Sequence, residues 1–134
     1  MNDNTQPDTP ANISLKIWQQ NLRKSSNAWE HMLRSLDPNI YDIACIQEPF
    51  LNTVNLANAS NLKQFWDVIY PTDHHTGAGR SQTIMLVNKK LSKNNWHIIP
   101  VKSPNIMAIE LTGQFGKVRL YNIYNPCDSD TTLH

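Results

Sequence analysis

Tyr41-Asp42-Ile43-Ala44-Cys45-Ile46-Gln47-Glu48-Pro49 is an apolar run that ends on a carboxylate. Its centre shows no polar alternation, so it reads as a strand covered on both faces. Pro49 ends the pairing at once, because it has no N–H to donate. Glu48 therefore stands where the strand gives out. A charge left unpaired in a core costs on the order of several kcal/mol. A strand-end glutamate escapes that cost in water, beside a Lys or Arg, or on a hard divalent cation such as Mg²⁺. The segment by itself leaves all three open.

Working outward, Ile13, Leu15 and Ile17 alternate with Ser14 and Lys16, which is the period of a strand. Asn27 and Glu30 have the spacing of a capping box. Trp29, Met32, Leu33 and Leu36 fall on one helical face, predicting a short helix over 28–36 that Asp37-Pro38-Asn39 stops. Strand, helix and buried strand in this order suit a crossover between parallel neighbours. Residues 1–12 are polar and twice broken by proline, and read as a mobile tail ahead of one domain over 13–134.

Beyond the buried strand, 52–64 is asparagine-rich and poorly patterned, with one helical turn near Leu62 to Trp66. Strand-like runs follow at 67–70, 82–88, 96–101, 105–112 and 117–124. Gly113-Gln114-Phe115-Gly116 joins the last two as a hairpin. The second half is thus mostly antiparallel β.

An apolar share of 40% with 17% charged residues describes a folded globular chain rather than a disordered one. A net charge of +1 announces no nucleic-acid partner, so any such attraction must be local. No apolar run is long enough to span a bilayer, and the N-terminus has no apolar signal core. Cys45 and Cys127 are too few for a disulfide framework, and Cys45 sits mid-strand as a small hydrophobe. These features point to a reducing intracellular setting, with the nucleus open to it. Asp73-His74-His75 lacks further ligands at zinc spacing. Gly77-Ala78-Gly79-Arg80 lacks the strand-before, helix-after context of a nucleotide loop. Lys89, Lys90 and Lys93 read as a solvated basic face.

Three strand ends carry polar groups. The first is Gln20-Asn21-Leu22-Arg23, the second Gln47-Glu48-Pro49, and the third Asn122-Ile123-Tyr124-Asn125. Neighbouring strands that run the same way would bring them to one end of a sheet. With Tyr70-Pro71-Thr72, Arg80-Ser81, Leu86-Val87-Asn88, Ser103-Pro104 and Val118-Arg119, these words resemble the endonuclease/exonuclease/phosphatase superfamily. More narrowly, they look like the endonuclease domain that precedes reverse transcriptase in non-LTR retrotransposons, particularly fungal ones, over about residues 13–128.

The resemblance implies an α/β fold: a mixed β-sheet with flanking helices, part of a four-layered α/β-sandwich. It implies a Mg²⁺-dependent (or Mn²⁺-dependent) phosphodiesterase that nicks DNA. It places Glu48 on the metal, with Asn21 beside it on the metal or the scissile phosphate. Tyr124 falls at a phosphate contact, and Arg80 on a loop that faces the substrate. The family also needs a Gly-Asp-Phe-Asn-like segment and a final Asp-His pair, and neither stands in this sequence. The chain therefore reads as the N-terminal part of such a domain, truncated at the C-terminus and inactive alone. Two other readings stay open: a non-catalytic remnant or binding module on the same scaffold, and a phosphatase of the same superfamily. A half-domain is also expected to expose Ile84, Leu86, Ile109 and Leu120 as an apolar face prone to self-association.

Overall fold

The computed structural model describes residues 14–50, 62–71, 82–103 and 105–125. The 1–12 tail therefore lies outside the described residues. In chain order the elements are β1 (Ile17–Asn21), α1 (Ser26–Ser35), β2 (Ile43–Gln47), α2 (Leu62–Phe65), β3 (Trp66–Ile69), β4 (Thr83–Asn88), β5 (Trp96–Ile99), β6 (Ile106–Gly113) and β7 (Gly116–Ile123). A 3₁₀ turn, Lys93–Asn95, precedes β5.

These strands form two sheets. The first has the order β1-β2-β4-β3 and the second β5-β6-β7. β1 and β2 run parallel, as the crossover through α1 requires, and every other pairing is antiparallel. The first sheet is therefore mixed and covered twice. On one face Ala44, Ile46, Ile84 and Leu86 pack under α1 against Trp29, Met32 and Leu36. On the other, Ile43, Cys45, Met85 and Val87 meet Met107, Ile109 and Leu111 of β6. All five residues of β2 are buried, as its unbroken apolar run predicts. Burial pushes the Cys45 thiol up to about 12, so this cysteine packs as a small hydrophobe.

Several expectations need correction. The first strand is not the Ile13/Leu15/Ile17 alternation but the more polar Ile17–Asn21. It is an edge strand, and its register (Ile17 opposite Ile43) is set by its neighbour. Pairing to β2 outweighs its own pattern there. The helix begins at Ser26, and its cap is Ser25, whose Oγ accepts from the Ala28 N–H at 3.1 Å. Asn27 falls inside the first turn, so no capping box forms with Glu30.

The exposed apolar face does not exist where it was expected. Ile84, Leu86 and Ile109 are fully buried and Leu120 is half-buried, because α1 and the second sheet already cover the first. The third strand end also belongs elsewhere: β7 lies in the second sheet, facing the first rather than continuing it. Of the lysines after β4, Lys90 stands 3.2 Å from Asp42 and Lys93 3.6 Å from Asp67, both still reaching solvent.

On the outer face of the second sheet, Glu110 is flanked across the strands by His97 and Arg119. Arg119 Nε donates to its carboxylate at 2.9 Å, and Lys117 and His97 stand 3.9 Å away. The Arg119 hydrogen bond, helped by the neighbouring cations and opposed by burial, holds the Glu110 carboxyl below its usual range. A carboxyl lowered on folding stabilises above its unfolded pKa, and that stability is lost as pH falls through the folded one. Glu110→Gln should therefore melt below the parent at neutral pH. The gap should close as pH drops below about 4, read by thermal melts across pH.

Candidate active site

The site is the shared end of β1 and β2. Parallel pairing continues one step past β1, where the Leu22 N–H donates to the Gln47 carbonyl at 2.9 Å. The chain then turns through Arg23 (φ 53°) and Lys24 (φ 58°). The Lys24 N–H donates to the Glu48 carbonyl at 2.9 Å, and Ser25 starts α1. Glu48 itself sits at φ 47°, with its N–H donated to the Gln82 carbonyl at 2.8 Å. These three are the non-glycine residues with positive φ among the described ones. Each costs about 1–2 kcal/mol in that conformation. Strain gathered at one strand end persists only where the surroundings hold it, and such places are commonly functional.

Asn21 joins the two strand ends through its side chain. Its Oδ1 accepts from the Arg23 N–H at 2.9 Å. That backbone donor fixes which way the amide faces, so Nδ2 is left to donate to Glu48 Oε2 at 3.0 Å. Asn21 is exposed and Glu48 half-buried, so the pair is open to a ligand. Arg23 and Lys24 are exposed beside it, and no carboxylate among the described residues pairs with either.

Behind this pair lies a buried amide cluster that sequence reasoning missed. Asn122 on β7 reaches across the sandwich: Nδ2 donates to the carbonyls of Ile46 (3.1 Å) and Ile84 (2.8 Å). Its Oδ1 accepts from Gln47 Nε2 at 2.6 Å. Gln47 Oε1 in turn accepts from Gln19 Nε2 on β1. The signal was present as an amide on the inward face of the Val118-x-Leu120-x-Asn122 alternation. Tyr124 lies two residues beyond Asn122, past the end of β7, with its N–H donated to the Asn105 carbonyl at 2.7 Å. The cross-sheet bond thus ties the strand that leads to Tyr124 to the strand that leads to Glu48. Arg80 and Asp73-His74-His75 lie outside the described residues.

The donor chemistry suits a hard, mostly hydrated cation. Mg²⁺ keeps several waters and takes one or two carboxylates plus substrate phosphates. Glu48 would supply the carboxylate, and Asn21, whose Nδ2 holds that carboxylate, keeps a second lone pair on Oδ1 beside the Arg23 bond. No group of three or more His, Cys, Asp or Glu able to hold a metal occurs among the described residues. No helix among them is long and apolar enough to cross a membrane.

The architecture is that of an endonuclease-type α/β sandwich. The solved endonuclease domain of TRAS1, a telomere-specific non-LTR retrotransposon, aligns with it at TM-score 0.62 and 19% identity. The match covers 86% of this chain and 46% of that one, so the chain spans a little under half that domain's length. No family model matches the sequence, and no curated protein matches it significantly.

The strain at Glu48 is testable without any ligand. Glu48→Gly and Glu48→Ala both remove the carboxylate, but only glycine adopts positive φ freely. The glycine variant should be the more stable of the two by about 1 kcal/mol in denaturant titrations.

Proposed function

We propose that this chain carries the metal- and phosphate-binding side of a DNA-cleaving phosphodiesterase site, as in the endonuclease domains of non-LTR retrotransposons. The observation that carries this reading is the 3.0 Å bond from Asn21 Nδ2 to Glu48 Oε2 at a strained strand end. In this reading Glu48 holds Mg²⁺ (Mn²⁺ can substitute) and Asn21 keeps its carboxylate aimed. Tyr124 and Arg80 donate to the phosphate. Arg23 and Lys24 give a near-neutral protein a local positive edge towards DNA. The cation would neutralise charge on the phosphodiester oxygens and stabilise the leaving oxygen. Asn21 and Tyr124 are neutral donors, so they can fix geometry without competing for the metal.

Cleavage also needs a group that activates water. No histidine or second carboxylate is bonded into the Asn21–Glu48 cluster among the described residues. The Gly-Asp-Phe-Asn-like segment and the final Asp-His pair that the resemblance calls for are also missing from the sequence, and we take the chain to bind metal and phosphate without cutting. Mn²⁺ titrated into the ¹⁵N-labelled chain should broaden the Asn21 side-chain amide signal, with affinity on the order of 1 mM. Glu48→Gln should abolish the broadening, and supercoiled plasmid with Mg²⁺ should stay intact. Absence of broadening in the parent would remove the metal site. Nicking that disappears in Glu48→Gln would show that the chain completes the reaction by itself.

A further inference from the structure

We infer that Gln47 and Asn122 are positioning residues, which hold the Glu48 carboxylate and its Asn21 partner in the geometry that binds a cation and a phosphate. The inference rests on the functional reading above and deepens it. Gln47 is 6% exposed and Asn122 is 2% exposed. Amides buried that deeply have to satisfy one another, and here they do so across three strands. The Gln47 side chain bonds Gln19 of β1 through Oε1 and Asn122 of β7 through Nε2. Its backbone carbonyl takes the Leu22 N–H. Asn122 spends both protons on β2 and β4.

Among the described residues, Gln47 therefore ties together the strands leading to Asn21, Glu48 and Tyr124. It also immediately precedes Glu48, whose left-handed backbone relaxes unless its neighbours fix it. Two well-packed apolar side chains would fill the same space, but they would not set the register. A one-residue slip of β7 turns Asn122 to the outer face and breaks the three bonds that Asn122 makes.

The test uses the full chain with Gln47→Met and Asn122→Leu, each close to the parent side chain in shape. The readout is the ¹⁵N order parameter of the Asn21 side chain, alongside Mn²⁺ affinity. Native fold is verified by hydrogen-exchange protection of the Ile84–Val87 amides. If Asn122→Leu does not fold, Gln47→Met carries the test, because it leaves the bonds from Asn122 to the two carbonyls in place.

The expected result is an Asn21 side chain that is ordered in the parent and mobile in the folded variants. Mn²⁺ affinity should fall roughly tenfold or more, the range seen when groups behind a metal ligand are removed. Folded Gln47→Met with Asn21 as ordered as in the parent would overturn the inference and leave the amides a merely structural pair. A parent chain whose Asn21 side chain is already mobile would overturn it too. A parent that ignores Mn²⁺ while the variants still loosen Asn21 would sink the metal reading and leave the positioning role standing.

Discussion

The described residues are arranged around a strand with no free face. β2 has α1 on one side and the second sheet on the other, and each of its five residues is buried. Such a strand can carry a charge only beyond its end. β2 ends at Gln47, and Glu48 just past it leaves the extended conformation at φ 47°. The position of Glu48 is thus a consequence of burial rather than of any feature of the glutamate itself.

The same burial explains why the polar groups at that end are amides. Gln47 and Asn122 lie between two apolar layers, where an ionised side chain would meet a heavy desolvation cost. Neutral amides can satisfy each other completely, and here they bridge from β1 through β2 to β7. The outer face of the second sheet solves the opposite problem. Glu110 is screened from water there, but its charge is kept by Arg119, Lys117 and His97. One sandwich therefore holds two polar clusters of different chemistry. The amides are tied to strand ends that open towards solvent, while the ion pairs fasten a hairpin.

Strain is distributed as unevenly as charge. Arg23 and Lys24 in the β1–α1 turn and Glu48 past the end of β2 take left-handed backbone, while the rest of the described chain confines positive φ to Gly116 in its hairpin. The β1–α1 turn and the end of β2 hold each other through Leu22, Lys24 and Asn21. Neither would keep its shape without the other. These bonds join the two loops into one hydrogen-bonded corner.

Much of this was legible in the residues. The apolar run of β2, the helix with Trp29 and Met32 on one face, the hairpin at Gly113 to Gly116 and the parallel crossover all follow from local pattern. The candidacy of Glu48, Asn21 and Tyr124 rests instead on the resemblance to the endonuclease/exonuclease/phosphatase superfamily. Three things were not legible. β1 hides in Ile17–Asn21 because an edge strand takes its register from its partner. The Ser25 cap depends on a left-handed turn that no periodicity announces. Ile84 and Ile109 looked exposed only because nothing in one dimension says that the two sheets face each other. The sequence by itself determined which segments must be buried, since hydrophobic pattern is a local property with a local period. Only the tertiary structure decided which buried face meets which, and so put an asparagine from β7 against a glutamine from β2, because contacts between distant segments depend on how whole sheets pack.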